Sequence, residues 1–107
     1  MMELSEVGTL LGVNNRVLRY LLEQELVPGL TKVNQGRGSR RKLTVAQARL
    51  VGVAAAMHVQ GFRPPVITTT LKLVKQGLKV GVGVLEVQAG KYVTITINLE
   101  KICRMIK

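Results

Sequence analysis

The stretch Gly12-Val13-Asn14-Asn15-Arg16-Val17-Leu18-Arg19-Tyr20 decides how the chain is read. Gly12 can adopt the left-handed conformation that ends a helix, and the Asn14 side chain can cap the start of the next. Upstream, Leu4, Val7, Leu10 and Leu11 fall at helical spacing, with Ser5 as the N-cap and Glu6 suited to the first turn. Downstream, Val17, Leu18, Leu21 and Leu22 form one apolar face. The spacing predicts two short amphipathic helices split by a glycine-containing turn, a helix-turn-helix.

Outward from that motif the punctuation is clear. Pro28-Gly29 stops the second helix near Leu26. Residues 30–34 and 40–43 read as short strands around the flexible turn 35–39, a hairpin with a basic tip that suits a wing. Thr44-Val45-Ala46-Gln47 is a capping box opening a third helix through Leu50, Val51, Ala54, Met57 and His58 to Gly61. Pro64 and Pro65 fit the first turn of a fourth helix ending near Gly77, against the β-branched run Thr68-Thr69-Thr70. The period then changes. Residues 82–88 and 92–97 alternate as strands around Ala89-Gly90, and Asn98 caps a last helix carrying Leu99, Ile102, Cys103 and Ile106. The expected class is α+β. Residues 1–77 form a four-helix winged domain, and residues 78–107 a β-hairpin plus helix for dimerisation or partner docking.

The length of 107 residues supports one compact domain, or one with a small appendage. Only Tyr20, Phe62 and Tyr92 are aromatic, so the core must be Leu, Val, Ile and Ala. The apolar run 50–59 is too short for a membrane span and contains His58, and Glu3 and Glu6 argue against a signal peptide. Cys103 is alone, which leaves no disulfide framework and no thiolate cluster for a metal. These features predict a cytoplasmic protein. An enzyme lacks its inventory here: no Asp, no Cys/His pairing, no phosphate-binding Gly-Lys loop and no carboxylate pair. No cofactor is expected.

Charge narrows the partner. Sixteen Lys and Arg against six Glu leave +10, unevenly placed. Residues 1–31 are net −2, residues 32–79 hold ten basic groups and no acid, and residues 80–107 add +2. Such a segment repels itself unless a polyanion is near, and nucleic acid is the usual one. No segment pairs a basic face with the large apolar face that a membrane surface would need.

The order and spacing of these pieces resemble the MerR-type winged helix-turn-helix family. The carrying residues are the 12–20 stretch, Leu26-Val27-Pro28, Arg41-Lys42-Leu43-Thr44 and Gly61-Phe62, covering about residues 3–76. The resemblance implies a winged domain that binds double-stranded DNA. Leu21, Glu25 and Leu43 depart from it, standing where the family usually has Tyr, Gly and an aromatic residue. The chain also turns to strand by Val84, too soon for the long dimerising helix of effector-sensing members, so no small-molecule effector is expected. The small relatives that act as excisionases, architectural factors or simple repressors are the nearer comparison.

Candidate contacts follow from these roles. Asn15, Arg16 and Arg19 occupy the half of a recognition helix that faces the major groove, where Arg can donate two hydrogen bonds to guanine. The competing role for Arg19 is an i, i+4 pair with Glu23. Tyr20 divides between phosphate contact and core packing. Lys32, Arg37, Arg40, Arg41 and Lys42 of the wing would hold phosphates or enter the minor groove, or, for Arg41, brace the hairpin. Arg63, at a helix start, would reach phosphate or stay solvated. His58 reads as a partly buried packing residue.

The rival function is a protein-interaction module, such as an antitoxin or assembly adaptor, using the C-terminal β-element. RNA binding is a third option, weakened by the lack of aromatic residues to stack on bases. The stripe Ile67, Leu71 and Val74 looks too narrow to cover both the last hairpin and the last helix, so a homodimer is expected to complete that core.

Overall fold

A computed structural model of the chain describes residues 2–27, 42–88 and 91–106. The architecture is α+β, in the order β1 (Met2–Glu3), α1 (Leu4–Leu11), α2 (Asn15–Glu23), β2 (Lys42–Leu43), α3 (Val45–Val59), α4 (Pro64–Val80), β3 (Val84–Gln88), β4 (Thr94–Asn98) and α5 (Leu99–Met105). No helix among the described residues is long and apolar enough to cross a membrane.

The organising element is α3. Thr44 and Gln47 close its capping box, with the Gln47 N–H donating to Thr44 Oγ1 at 3.1 Å and the Thr44 N–H donating to Gln47 Oε1 at 2.9 Å. Beyond that cap it has no consistent polar face: Ala48, Leu50, Val51, Gly52, Val53, Ala54, Ala55 and Met57 are all buried. A helix apolar on most sides must sit at the centre. The other four helices pack around it.

Four helices end on the same device. After each, one residue takes a left-handed conformation, and the next N–H reaches back five residues. Val13 donates to the Gly8 carbonyl at 2.8 Å, Leu26 to Leu21 at 3.1 Å, Phe62 to Met57 at 3.1 Å and Val82 to Gly77 at 2.9 Å. The turning residues are Gly12, Glu25, Gly61 and Gly81. Glu25, at φ 52°, is the only non-glycine residue among them, and a Cβ there costs about 1–2 kcal/mol. Glu25→Gly is therefore expected to stabilise the chain by about 0.5–1 kcal/mol after the entropy that glycine adds to the unfolded state. Thermal unfolding should show a rise of roughly 2–8 °C, and a lowered Tm would contradict the strain.

Several expected boundaries move. Glu3, not Ser5, is the N-cap of α1, in a reciprocal capping box with Glu6. The second helix ends at Glu23, and Leu26 is instead the buried residue following the Glu25 turn. The fourth helix continues through Gly77 to Val80. Gly77 is not a stop but a slot, since a Cβ there would lie 3.0 Å from Leu99 Cδ1. Strand 92–97 begins later, at Thr94, and Tyr92 is 94% exposed. The strand β1 was not foreseen: Met2 and Glu3 pair antiparallel with Leu43 and Lys42. The hairpin expected over 30–43 lies outside the described residues except for its last two.

The C-terminal element docks on its own chain. In the β3–β4 hairpin Leu85 pairs with Ile97 and Val87 with Ile95, turning that face inward. Asn98 caps α5 by accepting from the Lys101 N–H at 2.9 Å. Leu99, Ile102 and Ile106 join the core built by α3 and α4, with Ile102 seated over Gly52, where a Cβ would come within 2.7 Å of it. Arg49 Nε donates to the Ile106 carbonyl at 3.0 Å and ties α3 to the end of α5. The expectation that α5 needs a second copy to be covered does not hold. The α4 stripe alone is narrow, but α3 adds a second apolar side, with Gly52 facing Ile102.

Candidate nucleic-acid interface

The three-residue turn between α1 and α2 is built by close packing. A Cβ on Gly8 would lie 2.9 Å from Leu18 Cδ1 and 3.0 Å from the Val13 carbonyl oxygen, so only glycine lets the helices approach this closely. Gly12 turns the chain at φ 67°, and Asn14 Oδ1 accepts from the Arg16 N–H at 2.8 Å. The start of α2 is thereby fixed in orientation by its sequence neighbours. Leu18, Leu21 and Leu22 are buried beneath it.

The opposite face of α2 is open. Asn15, Arg16 and Arg19 are exposed at the N-terminal end of the helix. Neither arginine has an ion-pair partner among the described residues, where the one ion pair is Arg104 with Glu100. The i, i+4 alternative for Arg19 with Glu23 is thus not formed. Beside this face, Ser5, Thr9, Gly12 and Asn14 line a shallow polar cleft. The arrangement offers guanidinium and amide donors on a rigid helix, suited to acceptors on base edges or phosphates.

The other sequence-selected residues are placed differently. Tyr20 is half-buried with its ring 4.7 Å from that of His58, at 32° between planes. It packs α2 against α3, and His58 has the packing role expected of it. Lys42 is exposed on β2, opposite Glu3. Arg63 is the exposed N-cap position of α4 and gives no side-chain cap. It follows closely on the end of α3, where His58 meets Tyr20. Lys32, Arg37, Arg40 and Arg41 lie outside the described residues.

Two contributors escaped the sequence reading. Gly8, which sets the helix approach, looks like any small residue on a helix until Leu18 and Val13 are known to face it. Glu3 caps α1 although it sits inside the two-residue strand. Known proteins add nothing to this picture: no family model, curated protein or solved structure matches the chain.

Proposed function

We propose that the chain binds double-stranded DNA sequence-specifically through a helix-turn-helix made by α1 and α2, within a MerR-like winged domain. In this reading it serves as a small transcriptional regulator or as an excisionase-like architectural factor. The observation that carries the reading is the face of α2: Asn15, Arg16 and Arg19 exposed and free of ion pairs, on a helix locked from below by Gly8 and Leu18. A preset helix loses little freedom when it enters a major groove, and its arginines need break no internal pair to do so.

The remaining charge fits supporting roles. Lys42 and Arg63 are exposed donors for phosphates, and the segment 28–41 brings Lys32, Arg37, Arg40 and Arg41 between α2 and β2 in sequence. The strained Glu25 turn also favours the family reading, because it falls where the resemblance implies glycine.

Selection of duplexes from a random pool, followed by Arg16→Ala, tests the proposal. The variant is expected to lose roughly 1–3 kcal/mol on the selected site and little on random DNA. Equal losses on both would remove base reading from α2, and failure to enrich any duplex would remove the proposal.

A further inference from the structure

The β3–β4 sheet has two strands, and among the described residues no strand lies beside the outer edge of β4. A groove of about 340 Å³ runs along that edge. Its rim is four consecutive β4 residues, Ile95 to Asn98, rather than the alternate residues of one face. That pattern places the groove edge-on to the strand. Val53, Met57 and Phe62 supply an apolar floor on one side, and Ile102 and Met105 of α5 a wall on the other. Met105 remains 41% exposed in its wall, and Val93, next in line on the same face of the chain as Ile95, is 55% exposed.

Soluble proteins guard such edges with charges, prolines or bulges. Residues 92–99 contain neither a charge nor a proline, and the β3–β4 register is unbroken over all five pairs. The edge is therefore fit to accept another strand.

We propose that the occupant is β4 of a second copy of this chain, paired antiparallel about a twofold axis at Thr96. The sequence Thr94-Ile95-Thr96-Ile97-Asn98 is nearly its own reverse. Centred on Thr96, the pairing sets Ile95 against Ile97 of the partner, Thr96 against Thr96 and Thr94 against Asn98. Every isoleucine stays on the inner face and every threonine on the outer one. No like charges meet, and Thr–Thr and Ile–Ile neighbours are favourable cross-strand pairs.

Area supports the same occupant. A five-residue edge is about 17 Å long and cannot alone supply the roughly 800 Å² per partner of a stable dimer. The groove adds surface beyond the edge, because the partner's Ile95 and Ile97 would pack into it beside the half-buried Phe62 while the two Met105 side chains close the flank. A short foreign strand would satisfy the edge but would bring no such second layer. The proposal does not depend on DNA binding.

Sedimentation equilibrium of the full chain without DNA is expected to show a dimer at tens of micromolar. Thr96→Cys in a Cys103→Ser background should then form an intersubunit disulfide under mild oxidation. Across the axis the two Cβ atoms stand about 5 Å apart. Glu86→Cys in the same background is the control, since it shares the outer face but lies one strand further out in each copy, about 15 Å apart. Thr96→Glu needs no change at Cys103 and adds two acids to a row that already holds Glu86 of each copy. It should weaken the dimer roughly tenfold or more with an unchanged far-ultraviolet spectrum. A monomeric wild-type chain overturns the proposal and leaves the edge to a strand of another protein. Equal cross-linking of both cysteine variants, or a Thr96→Glu dimer as tight as the wild type, also overturns it.

Discussion

Leu99→Ala is expected to remove roughly 2–5 kcal/mol from the stability of the folded chain, as large-to-small changes in closed cores do. The Leu99 side chain is fully buried against the gap left by Gly77 in α4, on a helix that contacts α3, α4 and β3. Helix positions at a dense crossing relax little, so the vacated space stays open and its lining loses contact. Domains of this size hold about 5–15 kcal/mol in total, which makes the loss a large share. A chain ending before β3 would lack Val87, Leu99, Ile102 and Ile106 together, and we expect it not to fold cooperatively. Urea unfolding of the point variant gives the number directly. A change below about 1 kcal/mol would mean that the C-terminal helix is an appendage after all.

A fourfold rise in salt, from about 50 to 200 mM, is expected to weaken duplex binding by roughly a thousandfold. The basis is the acid-free run over residues 32–79 with its ten cationic side chains, joined by Arg16 and Arg19 on α2. If about five to seven of these neutralise phosphates, log K should fall against log salt with a slope near −5 to −6. Arg37→Ala or Arg40→Ala should make that slope shallower by about one and weaken all sequences alike, unlike Arg16→Ala. Titrations of the selected duplex at four or five salt concentrations measure it. A slope near zero would sink the DNA-binding proposal.

What the sequence revealed was chemistry confined to a few neighbouring residues. Gly12, Asn14, Thr44 with Gln47, and Asn98 each act on backbone groups two or three positions away, and all four were readable from type and spacing. The errors came where distant residues decide. Gly77 resembles a helix terminator in sequence, but its role is to admit Leu99 from the far end of the chain. Leu26 continues the helical period of α2, but the left-handed Glu25 throws it into the core as the residue after the turn. The β1–β2 ladder joins residues 2 and 3 to 43 and 42, a contact too short to leave a pattern. At the interface, the helix and its outward arginines were legible because burial of Leu18, Leu21 and Leu22 fixes which face is left over. The division of Tyr20 between phosphate and packing was not, because it depends on where His58 comes to rest.

The buried central helix has a consequence for how distant parts of the molecule communicate. Since α1, α2, α4 and α5 all rest on α3, no outer helix can leave without uncovering surface shared with the rest. Opening of one helix is then expected to uncover the shared surface of α3, so that the five helices unfold as one cooperative unit. A ligand gripping α2 lowers the free energy of that entire unit. The backbone amides of the C-terminal hairpin would be slowed in solvent exchange by an event on the opposite end of the sequence, with no atom between them having moved.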